Sequence, residues 1–290
     1  MNKLLVILGP TASGKSNLAI QLAEIFHGEI VSADSRQIFK EMNIGTAKIL
    51  NSKIPHHLID FINPTESFSV AQYKKSAYQT IKNIQKKGKL PILCGGTGLY
   101  ISSVIENWQF PKIPAQNKLR KRLEKKSIQK LLEIYKKIDP QGAQMIDAKN
   151  KRRLIRAIEV SSFSNKSFWQ QRRKNKPIFD TLLIGLKLSK EELKQRINKR
   201  TGRMIQIGLE AEVKNLVNKY GWVSSLQSIG YQEWKEYFNN KINKKEVQNL
   251  IELHTLQYIK RQITWFKKME GIKWIEKPEK VIKLIKLFLK

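Results

Sequence analysis

Gly9-Pro10-Thr11-Ala12-Ser13-Gly14-Lys15-Ser16 has the spacing G-x-x-x-x-G-K-[ST]. Its two glycines let the backbone curl with the amides turned inward, and a helix starting there adds positive potential. Lys15 contributes a mobile cation for phosphate oxygens, and the Ser16 hydroxyl suits Mg²⁺. This is chemistry for gripping a diphosphate or longer phosphate chain. The loop does not name its ligand, which could be ATP, GTP or another diphosphate ester.

Two further segments carry groups that could react. Ser32-Ala33-Asp34-Ser35-Arg36-Gln37 follows an apolar run and presents a carboxylate. Asp34 reads as a general base or an acceptor for an amine, or equally as a helix-capping turn residue. Gly95-Gly96-Thr97-Gly98-Leu99-Tyr100 closes another apolar run. Its glycines permit close backbone approach and Thr97 offers a hydroxyl, although a plain strand-to-helix turn has the same composition. An ATPase of this loop class would show an apolar strand ending in a metal-binding Asp, yet Leu90–Cys94 runs into glycines.

The elements that must hold these groups alternate in type. Leu4–Leu8, Glu29–Ala33 and Leu90–Cys94 read as buried parallel strands. Ser16–Phe26 and Ser69–Lys87 have helical spacing. The order predicts an α/β fold, a P-loop NTPase-like parallel sheet flanked by helices, and puts the ligand at the C-terminal ends of the strands. After Trp108 the texture changes. Pro111 and Pro114 break the chain, Asn117–Lys137 and Lys149–Phe163 are helical and basic, and Thr181–Leu188 returns to strand. Residues 1–110 and 178–290 are therefore expected to form the core with C-terminal helices. Residues 111–177 are expected to form a basic helical insertion domain. Trp222, Trp234, Trp265 and Trp274 are expected packing anchors.

The formal net charge is +31, from 55 Lys and Arg against 24 Asp and Glu. Part of it fits a lysine-rich drift spread over the chain. Between Lys112 and Arg203, however, 27 basic residues face 8 acidic ones, with arginines Arg120, Arg122, Arg152, Arg153, Arg156, Arg172, Arg173, Arg196, Arg200 and Arg203. A clustered arginine-rich excess points to a polyanionic partner. The single cysteine, Cys94, excludes an internal disulfide and a cysteine-rich zinc site. His27, His56, His57 and His254 have no metal-ligand spacing. No apolar stretch is long enough to span a membrane and no signal peptide is evident, so a cytoplasmic protein is expected.

The blocks GPTASGKS (9–16), VSADSRQ (31–37), GTAK (45–48), HHLID (56–60), GGTGLY (95–100), RRLIRAIEV (152–160) and KRQITWF (260–266) occur together in one order. In these the chain resembles the tRNA dimethylallyltransferase (tRNA isopentenyltransferase) family in its bacterial form. The resemblance implies an enzyme that transfers a dimethylallyl group from dimethylallyl diphosphate to the N6 amine of the adenosine immediately 3′ of the anticodon, in tRNAs reading codons that start with U. It implies Mg²⁺ as cofactor, tRNA as partner and action as a monomer without a membrane. Gly9, Pro10, Thr11, Ala12, Ser13, Gly14, Lys15 and Ser16 would hold the donor's diphosphate together with Arg200, with the metal at Ser16. Asp34, Thr97 and Arg120 would be catalytic. Asp34, Ser35, Arg36, Gln37, Arg152, Arg153, Leu154, Ile155 and Arg156 would contact tRNA, with Gln37 offered to the purine edge. Two other readings of the same residues stay open: a small-molecule or nucleoside kinase using ATP at the loop, and a non-catalytic RNA-binding protein.

Overall fold

The computed structural model describes residues 2–164, 166–171, 173–276 and 279–290. Arg172, one of the arginines noted above, lies outside them. The chain divides into two compact units, one of Met1–Ile105 with Pro177–Lys290 and one of Glu106–Lys176.

The first unit is built on β1 (Lys3–Leu8), α1 (Lys15–Ile25), β2 (Gly28–Ser32), β3 (His56–His57), α2 (Val70–Lys86), β4 (Leu90–Gly95) and α3 (Gly98–Ile105). The second unit holds α4 (Asn117–Glu124), α5 (Ile128–Ile138), α6 (Pro140–Met145) and α7 (Lys151–Ser162). The chain then returns to the first with β5 (Asp180–Leu186), α8 (Lys190–Gln206), α9 (Leu209–Tyr220), α10 (Trp234–Phe238), α11 (Lys244–Phe266), β6 (Ile272–Ile275) and α12 (Glu279–Leu289). The strands form one sheet in the order β3-β2-β4-β1-β5-β6, every pairing parallel.

Strand β1 shows why a continuous apolar run is required. Leu4, Val6 and Leu8 join Tyr73, Ala77, Ile81, Ile101 and Val104 of α2 and α3 in one core layer. Leu5 and Ile7 join Leu18 and Leu22 of α1 and Val281 and Ile285 of α12 in the other. Successive side chains leave a strand on opposite faces, and both faces here are roofed by helices. Burying each such aliphatic side chain is worth roughly 1.5–3 kcal/mol. Ser69 begins α2 with a reciprocal capping box to Gln72. A third cluster packs α9, α10 and the first half of α11 around Trp234 and against Ile38, Phe39 and Met42.

Several expectations shift in detail. The helical segment expected over Asn117–Lys137 is two helices, because the Ser127 hydroxyl accepts the N–H of Lys130 and starts α5 afresh. The His56-His57 pair forms edge strand β3, with His57 Nε2 2.7 Å from the buried carboxylate of Glu29. Trp274, expected as a packing anchor, is 41% exposed on edge strand β6, whereas Trp234 is fully buried. No helix among the described residues is long and apolar enough to cross a membrane.

In the second unit Glu159 is fully buried, and its carboxylate gathers four donors from three residues. Arg120 donates to it through Nε (2.7 Å) and Nη2 (2.6 Å), the Gln116 N–H donates at 2.6 Å, and Arg156 pairs with it. Burial pushes the Glu159 carboxyl up, but the hydrogen bonds from Arg120, Gln116 and Arg156 outweigh this and hold it below the usual range. Arg156 also donates to the Ile113 carbonyl at 2.8 Å, so it ties down the unit's entry segment. Leu154 and Ile155 lie in this unit's core at 0% and 5% exposure. Their side chains therefore do not face an RNA, and Arg152 and Arg153 are the arginines of α7 that Glu159 does not engage.

Candidate active site

The site is assembled where β1, β2 and β4 end together. At the first end, Gly14 takes a left-handed backbone (φ 89°), which turns the chain from the loop into α1. Among the described residues the buried Ser13 hydroxyl has no hydrogen-bond partner, an orphan that an anion in the loop would satisfy. Lys15 folds back so that Nζ donates to the Pro10 carbonyl at 3.2 Å. Burial lowers the Lys15 pKa from its ordinary value; Cys94 and Asp34 oppose that shift and Arg200 reinforces it.

At the other two ends Asp34 and Thr97 are drawn together by backbone. Ala33 N–H donates to the Cys94 carbonyl (2.7 Å) and Thr97 N–H to the Ala33 carbonyl (3.1 Å). Thr97 Oγ1 accepts the N–H of Ser35 at 3.1 Å. Asp34 has a divided role. Its Oδ1 accepts the N–H of Arg36 at 2.8 Å in a turn, and among the described residues Oδ2 has no hydrogen-bond partner. The two readings of Asp34, turn residue and reactive carboxylate, are thus compatible.

A cavity of about 430 Å³ runs past these ends. Thr11 of the phosphate loop, Asp34, Ser35, Arg36 and Arg200 all line it. Such a volume suits a small molecule held by a few convergent polar groups. Arg200 forms no ion pair among the described residues. Burial lowers its pKa, and the Asp34 charge partly offsets this. Arg196 adds a second guanidinium at the phosphate loop, with Nη1 3.4 Å from the Ser13 carbonyl. Lys15 and Thr97 are not in the cavity wall; Thr97 reaches it through Ser35.

Gln37 is placed differently from a free purine-reading amide. Its Oε1 accepts from Ser32 Oγ at 3.0 Å and its Nε2 donates to the Thr46 carbonyl at 3.2 Å. Both ends of the amide tie the Asp34 turn to the GTAK segment, and Gly45 and Thr46 of that segment line the cavity. Glu212 steadies the same segment by accepting the N–H groups of Asn43, Ile44 and Gly45.

The residues that sequence reasoning did not single out come mostly from α11 and the loop before α10. Tyr258 and Arg261 line the cavity, as do Ser228 and Gly230. The Tyr258 hydroxyl meets Thr97, and burial raises its pKa. Gln262 accepts the N–H of Thr11 at 2.9 Å and donates to the Gly96 carbonyl at 2.9 Å. Arg261 and Gln262 fall in the block at 260–266 that carries the family resemblance, while Tyr258, Ser228 and Gly230 lie outside every block noted in the sequence.

Residues 37–269 match the family model described as IPP transferase. The chain belongs to the IPP transferase family. Membership makes it a transferase. It is similar to a tRNA dimethylallyltransferase of Acetivibrio thermocellus, 43% identical over all of this chain and 98% of that one. It is also similar to one of Anoxybacillus flavithermus, 42% identical over 97% of this chain and 92% of that one. Among solved structures, the full-length tRNA isopentenylpyrophosphate transferase of Bacillus halodurans is 35% identical, with TM-score 0.74, over all of this chain and 96% of that chain. A eukaryotic dimethylallyltransferase captured acting on tRNA is 28% identical, with TM-score 0.83, over 95% of this chain and 74% of that chain. The transferase's parallel sheet and helical layers are thus shared across bacterial and eukaryotic members.

The lowered Lys15 pKa has a consequence for any diphosphate held at the loop. A diphosphate at the loop favours the charged ammonium, so its binding takes up the proton that burial has loosened. Lys15 is charged below its lowered pKa and neutral above it. With the donor's diphosphate at the loop, its KM is expected to rise as pH increases, from a pH below the ordinary lysine range near about 10.4. Steady-state KM measured across neutral to alkaline pH checks this. A KM that stays flat until the ordinary lysine range contradicts it.

Proposed function

We propose that this chain transfers a dimethylallyl group from dimethylallyl diphosphate to the N6 amine of the adenosine 3′-adjacent to the anticodon, in tRNAs that read codons starting with U. The observation that carries the reading is one cavity lined both by anion-seeking groups, Thr11 and Arg200, and by the Asp34 carboxylate.

In this scheme the phosphate loop, Lys15 and Arg200 hold the diphosphate and stabilise it as it leaves with the electron pair of the C1–O bond. The adenine N6 forms the new bond to C1. Its amine is a weak nucleophile, because the lone pair is delocalised into the ring, so its proton must be taken up as the bond forms. Asp34 lines the cavity, and its Oδ2, without a hydrogen-bond partner among the described residues, is the acceptor. Thr97, bonded through Ser35 to the Asp34 turn, orients the donor. To bring N6 there the base must leave the stack of the anticodon loop. We assign RNA backbone contacts to the Asp34–Gln37 turn and to Arg152 and Arg153. We keep Arg120 as a proposed catalytic residue, with its Nε and Nη2 given to Glu159, and Arg156, anchored on the same carboxylate, as a further RNA contact.

Among the described residues no group of three or more His, Cys, Asp or Glu could hold a metal ion. A Mg²⁺ would therefore rest on the Ser16 hydroxyl, substrate oxygens and water. That donor set fits an ion which keeps water and binds through phosphates. Bound there, it would help neutralise the leaving diphosphate. We further propose that the protein works as a monomer in the cytoplasm, where its tRNA substrate resides.

The test is incubation with tRNA, Mg²⁺ and labelled dimethylallyl diphosphate. Label in tRNA at the adenosine beside the anticodon is expected. Unlabelled tRNA together with ATP turnover on a small acceptor would support a kinase instead.

A further inference from the structure

We infer that Gln262 is a positioning residue for prenyl transfer, one whose single amide sets the phosphate loop against the loop that carries Thr97. The inference rests on the prenyl-transfer reading above and adds a residue to it.

Gln262 lies in the last third of α11 and is 4% exposed. Its Oε1 accepts the Thr11 N–H at 2.9 Å and faces Thr11 Oγ1 at 3.4 Å. Its Nε2 donates to the Gly96 carbonyl at 2.9 Å. Position 96 must be glycine for this to happen, since a Cβ there would lie 2.3 Å from Nε2. A planar amide with its acceptor on one loop and its donor on the other leaves little freedom in the spacing between them. The platform beneath it is also fixed, because Trp265 Nε1, one turn on, donates to Ser102 Oγ of α3 at 3.1 Å.

Each loop has its own chemical duty. The loop of Thr11 faces the diphosphate, and the loop of Gly96 presents Thr97 to the Asp34 turn. Neither hydrogen bond touches the reacting atoms. What they control is the distance between leaving group and base, and misplacement by about 1 Å can cost on the order of 10²-fold in rate. A neutral amide also suits the position, because a carboxylate there would repel both the Gly96 carbonyl and the diphosphate.

Gln262→Met keeps the side chain's length and apolar volume and removes both hydrogen bonds. Gln262→Glu keeps the acceptor for Thr11 and removes the donor to Gly96. Both are expected to lower kcat by about 10-fold or more. The Kd for tRNA and the inhibition constant of inorganic diphosphate, which is held by the phosphate loop and Arg200 and does not depend on the loop of Thr97, are expected to stay within about 3-fold for Gln262→Met. In a Thr97→Ala background, Gln262→Met should change kcat by less than about 3-fold, because residues acting through one another are non-additive. A purely structural role would lower the melting temperature and leave kcat intact below it. Wild-type kcat in Gln262→Met, or losses that multiply in the Thr97→Ala background, would overturn the inference. Should Gln262→Met fail to fold, the kcat of Gln262→Glu decides the matter. Failure of the wild-type protein to label tRNA would instead refute the prenyl-transfer reading itself.

Discussion

Asparagine at position 34 is expected to reduce the single-turnover rate of prenyl transfer by about 10³-fold, within the range usual for removing a general base, while tRNA affinity stays within a few-fold. The substitution is conservative in the turn. Asp34 Oδ1 accepts the Arg36 N–H at 2.8 Å, and an asparagine carbonyl can do the same. What changes is the other oxygen, the one with no hydrogen-bond partner among the described residues. An NH₂ there cannot accept the proton of an adenine amine. The charge of Asp34 also raises the pKa values of Lys15 and Arg200. Removing it should therefore move the pH at which donor binding weakens further down, the sign expected when a neighbouring anion is lost. Rapid-quench measurement of label transfer, with tRNA binding followed separately, checks both parts. Rate and affinity falling together would remove Asp34 from the role of base.

The second large effect is at Arg200. Arg200→Ala is expected to lower kcat/KM for the prenyl diphosphate by about 10²–10³-fold, the usual scale for deleting one donor that stabilises developing anionic charge, with tRNA binding unchanged. Arg200 lines the cavity beside Thr11 and Asp34 and has no ion-pair partner among the described residues. A cation held without a carboxylate partner in a partly buried wall is costly, and a substrate diphosphate offsets that cost on binding. Arg200→Lys should recover only part of the loss, since an ammonium lacks the planar two-point grip. A change of less than about 3-fold in Arg200→Ala would show that the anion lies elsewhere, with Arg196 at the Ser13 carbonyl the next candidate.

The second unit shows how arginines that look alike in sequence divide their work. Arg152, Arg153 and Arg156 lie within five residues of one another. Arg156 closes on Glu159 and the Ile113 carbonyl, while neither Arg152 nor Arg153 is held by that buried carboxylate. Arg120 belongs to the same buried group. Removing one member of such a set leaves another charge buried without its partner. Mutation of Arg156 would therefore mix a stability loss into any loss of RNA contact, and mutation of Arg120 would mix one into any loss of activity, so Arg152 and Arg153 give the cleaner test of RNA binding.

By itself the amino-acid sequence determined whatever depends on local spacing. The apolar run Leu4–Leu8 could only be a strand buried on both faces. The glycines and Lys15 that follow have the spacing of a phosphate grip within eight residues, and Asp34 and Thr97 stand at the ends of further apolar runs. A change of texture after Trp108 led to the expected insertion over 111–177, and the second compact unit runs over Glu106–Lys176. What the tertiary structure alone decided is how groups distant in the chain share their hydrogen bonds. Gln37 could not be known to spend both ends of its amide on Ser32 and Thr46, nor Glu159 to gather Arg120 and Arg156, nor Gln262 to join Thr11 to Gly96 across 251 and 166 residues. The edge strands β3 and β6, of two and four residues, are too short to register as a pattern. The physical reason is the same in each case. Periodicity records which face of an element is buried, while the partner of a polar side chain depends on what another element brings within about 3 Å of it.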